Sequence, residues 1–581
     1  MSSIPSHRSN PSKTIVIIGG VAGGMSAAAR LRRLSEDLRI IVFERSGYVS
    51  FANCGLPYHL GGEIPDRKDL LLQTPEGLAA KFNLEVHPYH EVVSIEPKQQ
   101  YVTVRNVQTQ ATLTQAYDEL ILSVGATPLK PESIFGIHGE GIFTLRTIED
   151  LDTIQAWCHI QSAKHPLRVV IAGSGFIGLE VAEQLHHQGH EVHMVEGNPQ
   201  VLKPLDPELA QRVQHELETH GIRLHLQAKL KGILPVTAHQ DPSHLPPKVG
   251  WVCAGDHAPI PADMVLLGLG VRPELHLATQ AGVALGEKQG IKVDQQFRTS
   301  VAHIWAVGDV IEVTHPISQE STLLSLGGPA NRQGRMVTDA IMGQQGTYKG
   351  TLGTATLRVF SLTVATTGLN EKQLRAFKLP YEAIHLHPNH HAGYYPGAKK
   401  IALKVLFHPK TSKLYGAQAV GQEGVDKRIE ILATALLAEW SIQDLAHLEL
   451  CYAPPIGSAK DPINLAGMMG ENIVQGLVKQ VQWYEIPTLD PTKSILVDVR
   501  DQDEREQGYI PNSLHVPFPE LRTRYQELPK EKNLILYCMS GQRSYFASRF
   551  LAQHGYQVSN LAGAYLTYAQ GMLSLKNEQR P

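Results

Sequence analysis

Cysteine is scarce in this sequence, with five residues in 581, Cys54, Cys158, Cys253, Cys451 and Cys538, each far from the next. An odd, scattered set excludes a disulfide scaffold and fits a reducing cytoplasm, where the chain is expected to work. Charge of one sign is not in excess either. Lys and Arg number 53 against 56 Asp and Glu, so neither nucleic acid nor a membrane surface is expected as the main partner. Long hydrophobic runs are also missing: no stretch approaches the roughly 18 to 20 apolar residues of a membrane span. The first twelve residues are polar and read as a disordered tail. His385, His387, His390 and His391 lie close together, but the interleaved Pro388 and Asn389 give no zinc-ligand spacing, and no metal is expected.

What is present is glycine, in two well-placed turns. Thr14 to Ile18 is a β-branched run entering Gly19-Gly20-Val21-Ala22-Gly23-Gly24, with a helical stretch from Met25 to Leu34 behind it. Strand, glycine turn and helix in that order let backbone N–H groups approach a pyrophosphate, whose charge sits at the helix N-terminus. Gly19, Val21, Ala22 and Gly24 form the expected cradle, Val21 standing where the middle glycine of the fingerprint is usual. Glu44, closing the next strand about 20 residues on, is placed to accept hydrogen bonds from a ribose diol. The pattern returns at Arg168 to Ala172, where Gly173, Gly175 and Gly178 fill all three fingerprint positions ahead of a helix from Leu179 to Gln188. The strand Glu191 to Val195 then ends in Glu196. A carboxylate there repels a 2′-phosphate and accepts from a free 2′-hydroxyl, which favours NADH over NADPH.

Cys54 lies in Ser50-Phe51-Ala52-Asn53-Cys54-Gly55-Leu56-Pro57-Tyr58, soon after the first glycine turn and with no cysteine partner nearby. A solitary redox thiol stores oxidation as a mixed disulfide with a small thiol, as a persulfide or as a sulfenic acid. Val301 to Asp309 resembles the short motif of two-dinucleotide flavoproteins in which an Asp, here Asp309, contacts the ribityl chain of FAD. Tyr117-Asp118, Leu120 to Ser123 and Gly125 to Pro128 resemble the strand and crossing that leave the FAD domain. The resemblance puts Ser123 and Gly125 at the first site, which implies FAD there and NADH at the second.

With these motifs, the chain up to Met469 resembles the coenzyme A disulfide reductase and NADH oxidase group of the pyridine nucleotide-disulfide oxidoreductases. The resemblance implies a homodimer in which Asn53 helps hold the Cys54 thiolate. It puts Ser50, Phe51, Arg30, Arg33 and Lys81 on the coenzyme A side, with Asn331 and Arg335 contributed by the second subunit. Oxidase and peroxidase relatives carry a His in the first glycine turn where this chain has Ala22, so the sequence leans toward a sulfur substrate. Tyr394-Tyr395-Pro396-Gly397 and Tyr452 to Gly457 match segments that reach across to the partner's cysteine. Tyr395, or Tyr394, fills the first tyrosine place, but Ile456 fills the second, where a phenol would protonate a leaving thiolate. A persulfide, which releases sulfide, needs that proton less than a disulfide does.

The last hundred residues make a separate short α/β pattern. Strand Asn533 to Tyr537 ends in Cys538, and Cys538-Met539-Ser540-Gly541-Gln542-Arg543-Ser544 leads into a helix from Tyr545 to His554. Loop N–H groups, the helix N-terminus and the charge of Arg543 are expected to favour a thiolate or anionic persulfide. The segment resembles a single rhodanese domain, with Ala562 and Tyr568 replacing a usual glycine and tryptophan.

The expected architecture is α/β: two dinucleotide-binding Rossmann-like domains, an α+β dimerisation domain and a rhodanese-like domain. The expected boundaries are 13–120 with 256–330 for FAD, 121–255 for NADH, 331–475 for dimerisation and 476–581 for rhodanese. The expected activity is FAD-dependent, NADH-driven reduction of persulfides or polysulfide, with coenzyme A persulfide or coenzyme A disulfide as substrate. Cys538 supplies sulfane sulfur. The alternatives are an NADH oxidase or peroxidase working through a Cys54 sulfenic acid, and a persulfide carrier or sensor without turnover.

Overall fold

β-Branched runs that lack polar alternation build parallel sheets covered on both faces. In a computed structural model of the chain, which describes residues 13–162, 165–235 and 249–578, two such sheets occur in the first 310 residues. The expected tail, 1–12, lies outside the described residues. The first sheet runs Ile304–Ala306, Glu119–Leu122, Lys13–Ile18, Leu38–Phe43 and Glu85–His87, all parallel. The second runs Arg223–His225, Glu191–Val195, Arg168–Ala172, Met264–Leu267 and Ile142–Phe143. The helices following the two glycine turns span Ala22–Leu34 and Phe176–His187. They begin inside the glycine motifs, earlier than the sequence predicts, because their first residues carry the turn itself.

Two segments fall differently from the sequence boundaries. Met264–Leu267 pairs with Arg168–Ala172, so the second sheet extends past residue 255. An antiparallel excursion, Leu230–Pro235 with Val249–Ala254, separates this strand from its sheet in sequence and hides the connection. Helix Gly327–Ile341 packs on Ala22–Leu34 instead of on the dimerisation sheet. Ser26 Oγ donates to Asn331 Oδ1 at 2.5 Å, Arg30 pairs with Asp339 at 2.8 Å, and a Cβ at Gly334 would lie 2.2 Å from the Gly23 carbonyl oxygen.

The third sheet is antiparallel, ordered Ala355–Val359, Leu362–Gly368, Leu414–Gly421, Ile401–Phe407 and Glu382–Leu386. Lys404, on its fourth strand, is completely buried. Its ammonium lies 2.8 Å from Asp206, 2.6 Å from Glu208 and 2.9 Å from Glu371. These three carboxylates converge as a cation's ligands would, and Lys404 takes the cation's place.

The fourth sheet, ordered Gln480–Val481, Val558–Leu561, Asn533–Tyr537, Ser494–Asp498 and Leu514–His515, is parallel. It is docked firmly on the rest of its own chain. Its last helix, Ala564–Glu578, lies against helix Pro207–Thr219 of the second domain, where Asn577 Nδ2 donates to Gln211 Oε1 at 3.0 Å. Thr567 Oγ1 is hydrogen-bonded to His387 Nε2 at 2.8 Å, Gln482 Nε2 donates to the Ala383 carbonyl, and Tyr484 OH donates to Glu371. No helix among the described residues is long and apolar enough to cross a membrane.

Candidate active sites

The two glycine turns have the shape a pyrophosphate requires. Gly19 (φ +104°) and Gly173 (φ +103°) adopt left-handed conformations that a side chain rarely tolerates. A Cβ on Gly24 would lie 1.9 Å from the Gly19 carbonyl oxygen, and one on Gly178 would lie 2.2 Å from that of Gly173, so the helices close tightly onto their strands. At Gly175, by contrast, a Cβ would meet nothing within 4 Å, leaving backbone open toward a ligand. Val21 and Gly175 cap their helices without a side-chain hydrogen bond, and a diphosphate fits that position. Ala22 opens the first helix.

Both expected acidic partners are held in place. Glu44 accepts from the N–H groups of Gly20 (2.8 Å) and Ser46 (2.9 Å). Glu196 accepts from Ser174 N–H (3.0 Å) and Oγ (2.7 Å) and from Asn198. Ser123 backs Gly19, and Gly125 turns at φ +73°. Asp309 follows Gly308 and makes no hydrogen bond or ion pair among the described residues. Burial raises its pKa, with Arg146, a residue in no motif, opposing the shift. A half-buried carboxylate with free acceptors suits a ribityl hydroxyl, and the donor set as a whole fits FAD in the first turn and NAD in the second. Glu196→Ala is expected to shift the NADH to NADPH ratio of kcat/KM toward NADPH by at least about tenfold, some 1.4 kcal/mol of discrimination. Steady-state kinetics with both nucleotides check this.

Cys54 is exposed on the short turn Asn53–Gly55 that runs into helix Leu56–Leu60. Asn53 Oδ1 accepts the Cys54 N–H at 3.1 Å and lies 3.7 Å from Sγ. Ser50, at φ +47°, donates its N–H to the Gly20 carbonyl at 2.8 Å, tying the cysteine segment to the first glycine turn. Phe51 is buried in a core cluster with Leu56, Leu60 and Leu70, so its ring anchors the segment that carries Cys54. Enclosure raises the Cys54 pKa, and the charges of Glu180 and Asp309 add to the rise. Glu180, two residues beyond Gly178, accepts from Tyr58 OH at 3.0 Å, and Arg358 covers the Tyr58 ring and pairs with Glu63 and Glu183. Sequence reasoning passed over Glu180 and Tyr58. Their signal was position, since Tyr58 lies one helical turn after Cys54 and Glu180 comes two residues after the last glycine of the second fingerprint.

The expected coenzyme A contacts divide into two groups. Arg30 and Asn331 are committed to the helix pair described above. Arg33, Lys81 and Arg335 are exposed and make no ion pair among the described residues, Lys81 resting over the Phe82 ring. In the segments matched to the partner-facing loops, Tyr394 and Tyr452 are exposed and share a hydrogen bond between phenols at 2.9 Å. Tyr395 is exposed, its ring perpendicular to that of His391, and Ile456 is exposed. A second phenol therefore stands in the Tyr452 to Gly457 segment, four residues ahead of the isoleucine.

Cys538 is only 1% exposed, and the loop wraps it with donors. Gly541 N–H points at Sγ at 3.1 Å and Ser544 Oγ lies 3.6 Å away. Gly541, at φ +111°, caps helix Gln542–Gln553, so the helix starts within the loop and not at Tyr545. The Cys538 and Met539 carbonyls accept N–H groups of Tyr565 (3.0 Å) and Leu566 (3.1 Å) in the first turn of the last helix. Arg543 stands at the loop's end, but its charge is not free as the sequence implies. It donates to Asp501 Oδ2 at 3.0 Å and Glu504 Oε1 at 2.6 Å.

The chain matches the family model for pyridine nucleotide-disulphide oxidoreductase over residues 13–336, that family's dimerisation domain over 354–461 and the rhodanese-like domain over 486–570. It is 34% identical over 462 residues to coenzyme A disulfide reductase of Staphylococcus haemolyticus, covering 79% of this chain and 100% of that relative. Among solved structures it is similar to reduced Bacillus anthracis CoADR-RHD (44% identity, TM-score 0.92, 97% of this chain and 98% of that one). It is also similar to an NAD-dependent persulfide reductase from A. fulgidus (32% identity, TM-score 0.87, 96% and 100%). Glycine cradles with their acidic partners, a lone cysteine tied to the first of them, and a family model spanning more than half the residues give one conclusion: the chain belongs to the pyridine nucleotide-disulphide oxidoreductases and carries a rhodanese-like domain after its dimerisation domain.

Proposed function

We propose that this chain is an FAD-containing reductase that oxidises NADH to reduce persulfides, with coenzyme A persulfide as the leading substrate and coenzyme A disulfide and polysulfide as related ones. The observation that carries this reading is the exposed, unpaired Cys54 fastened to the first glycine turn through Ser50 and Gly20. A coenzyme A disulfide reductase and a persulfide reductase among the similar proteins support the substrate class.

The Cys54 thiolate attacks a sulfur of R–S–SH. Attack on the inner sulfur forms a mixed disulfide with release of hydrosulfide, and attack on the outer sulfur forms a Cys54 persulfide with release of the thiolate RS⁻. Gly19, Val21, Gly24 and Glu44 would hold FAD, which, when bound, would supply the two-electron chemistry needed to regenerate the Cys54 thiolate. Asn53 orients the Cys54 backbone through its N–H. Ala22 offers no imidazole to a peroxide, which favours a sulfur substrate, and Ile456 offers no proton to a departing thiolate, which favours a leaving group as good as hydrosulfide.

The exposed Tyr394, Tyr395, Tyr452 and Ile456 and the matched dimerisation domain support a homodimer in which each subunit completes the other's site. Five free cysteines support a reducing cytoplasm. Cys538 accepts sulfane sulfur and passes it to a carrier thiol that feeds Cys54.

Anaerobic NADH oxidation with simultaneous sulfide detection tests the reading, comparing coenzyme A persulfide, coenzyme A disulfide and peroxide. Fastest turnover with the persulfide, with sulfide released, is expected; faster turnover with peroxide would overturn it in favour of the oxidase. Arg33→Glu is expected to raise KM for coenzyme A persulfide about tenfold with kcat little changed, and to leave a small alkyl persulfide unaffected. An equal effect on both substrates would remove Arg33 from the coenzyme A site.

A further inference from the structure

Cys538 has neutral groups next to its sulfur and charged ones on its rim. Sγ itself is approached by neutral donors, Gly541 N–H at 3.1 Å and Ser544 Oγ at 3.6 Å. Arg543, the loop's one cation, lies between Asp501 (3.0 Å) and Glu504 (2.6 Å), so one positive charge faces two negative ones and the rim carries a net charge of −1. The neighbouring guanidinium groups do not offset this. Arg500 is completely buried against Asp498 and the carbonyls of Glu504 and Gly508, and Arg505 is turned to Asp498 and Ser513. Glu504 is held below the usual carboxylate range by its bond to Arg543, so it stays ionised wherever the protein is folded at moderate pH.

Resting on the reading of Cys538 as a sulfur acceptor, we propose that Asp501 and Glu504 are specificity-determining residues that direct Cys538 to organic persulfides, R–S–SH, and against thiosulfate. Thiosulfate is a dianion whose sulfonate group is bonded directly to the sulfane sulfur and must enter the rim with it. In an organic persulfide the atom bonded next is a thiol sulfur on carbon, and any carboxylate or phosphate lies several bonds away. The Cys538 thiolate attacks the outer sulfur, forming Cys538–S–SH and breaking the donor's S–S bond, whose electron pair leaves as the thiolate RS⁻. With thiosulfate the same attack leaves sulfite, a dianion departing past two carboxylates. Neither transfer needs an external oxidant or reductant.

The test is sulfur transfer to a thiol acceptor by the full-length protein without NADH, comparing kcat/KM for glutathione persulfide and thiosulfate. Glutathione persulfide is expected to be favoured at least about a hundredfold in low salt. Asp501→Asn with Glu504→Gln keeps the hydrogen-bonding groups that cap helix Gln502–Glu506 and is expected to narrow the ratio about tenfold by raising the thiosulfate value. A salt series on the unaltered protein needs no variant to fold, and screening is expected to narrow the ratio in the same direction. Equal use of both donors, transfer from neither, or a ratio that moves with neither charge removal nor salt would overturn the proposal. Cys54-dependent NADH oxidation on the same preparation separates this outcome from the reductase reading, since either can fail while the other stands.

Discussion

Serine in place of Cys54 is expected to lower kcat/KM for NADH-dependent reduction of coenzyme A persulfide by at least about a thousandfold, some 4 kcal/mol of transition-state stabilisation. The size follows from the chemistry of the replacement: a serine hydroxyl at the same place is neither ionised at neutral pH nor able to form the S–S bond. The protein's own charges add a direction. Enclosure, Glu180 and Asp309 all raise the Cys54 pKa, so the thiolate fraction set by these groups grows as pH rises, and turnover limited by attack should climb toward alkaline pH in step. The variant's FAD content and the rate of flavin bleaching by NADH in stopped flow should be unchanged, because the glycine cradles do not depend on the sulfur. Residual persulfide turnover above a tenth of wild type would mean that the flavin reduces persulfide directly and that Cys54 is not the redox thiol.

Lys404→Met is expected to remove about 3 to 5 kcal/mol of stability, because it leaves buried carboxylates without their counter-charge. The thermal transition should fall on the order of 10 °C, read as a shift of the first unfolding step since a chain of several domains does not unfold in one step. Burial raises the pKa of Asp206 against the pull of Lys404, with Glu208 and Glu371 adding to the rise. Burial pushes Glu371 the same way, but the adjacent Lys404 outweighs it and brings the carboxyl down to about 2. A depressed carboxyl stabilises the fold above its unfolded value near 4.5, and that contribution is lost as pH falls toward 2. The variant loses the cation that depresses Glu371, so the gap between variant and wild type should widen from pH 4 to pH 7. An equal gap at both pH values would show that lost packing, not charge, carries the cost. Asp206 and Glu208 lie at the start of a helix in the second domain, Glu371 lies in the third, and Tyr484 of the rhodanese-like unit donates to Glu371. The substitution should therefore loosen three domains together.

What could be read in the sequence was whatever is local. Strand, glycine turn, helix and terminal acid lie within one short stretch, so Gly19 to Glu44 and Gly173 to Glu196 announce themselves, and Cys538 sits at a strand end ahead of its own helix. Pairings between distant segments left no such mark. Arg30 looked like a free cation because its partner, Asp339, is 309 residues away. Arg543 looked uncompensated for the same reason, with Asp501 and Glu504 held by a different helix, although the D-x-x-E spacing of those two residues marks a helix start and could have drawn attention to them. The packing of Phe51 depends on Leu60 and Leu70 across a turn, which no local pattern shows. Lys404 reads as one charge in an otherwise apolar strand, and nothing short of the fold reveals that three acids surround it.

The last helix also redefines what counts as a module. Its first turn holds the backbone of the Cys538 loop through Tyr565 and Leu566, the next residue, Thr567, bonds His387 just beyond strand Glu382–Leu386 of the dimerisation sheet, and Asn577 near its far end engages Gln211. Swapping this rhodanese-like unit for another, as a protein engineer would try, means transplanting the faces of Glu382–Leu386 and Pro207–Thr219 along with it. The exchangeable cassette is larger than the sequence domain, and a chimera cut at the sequence boundary between residues 475 and 476 would carry a sulfur loop whose clamp has lost its footing.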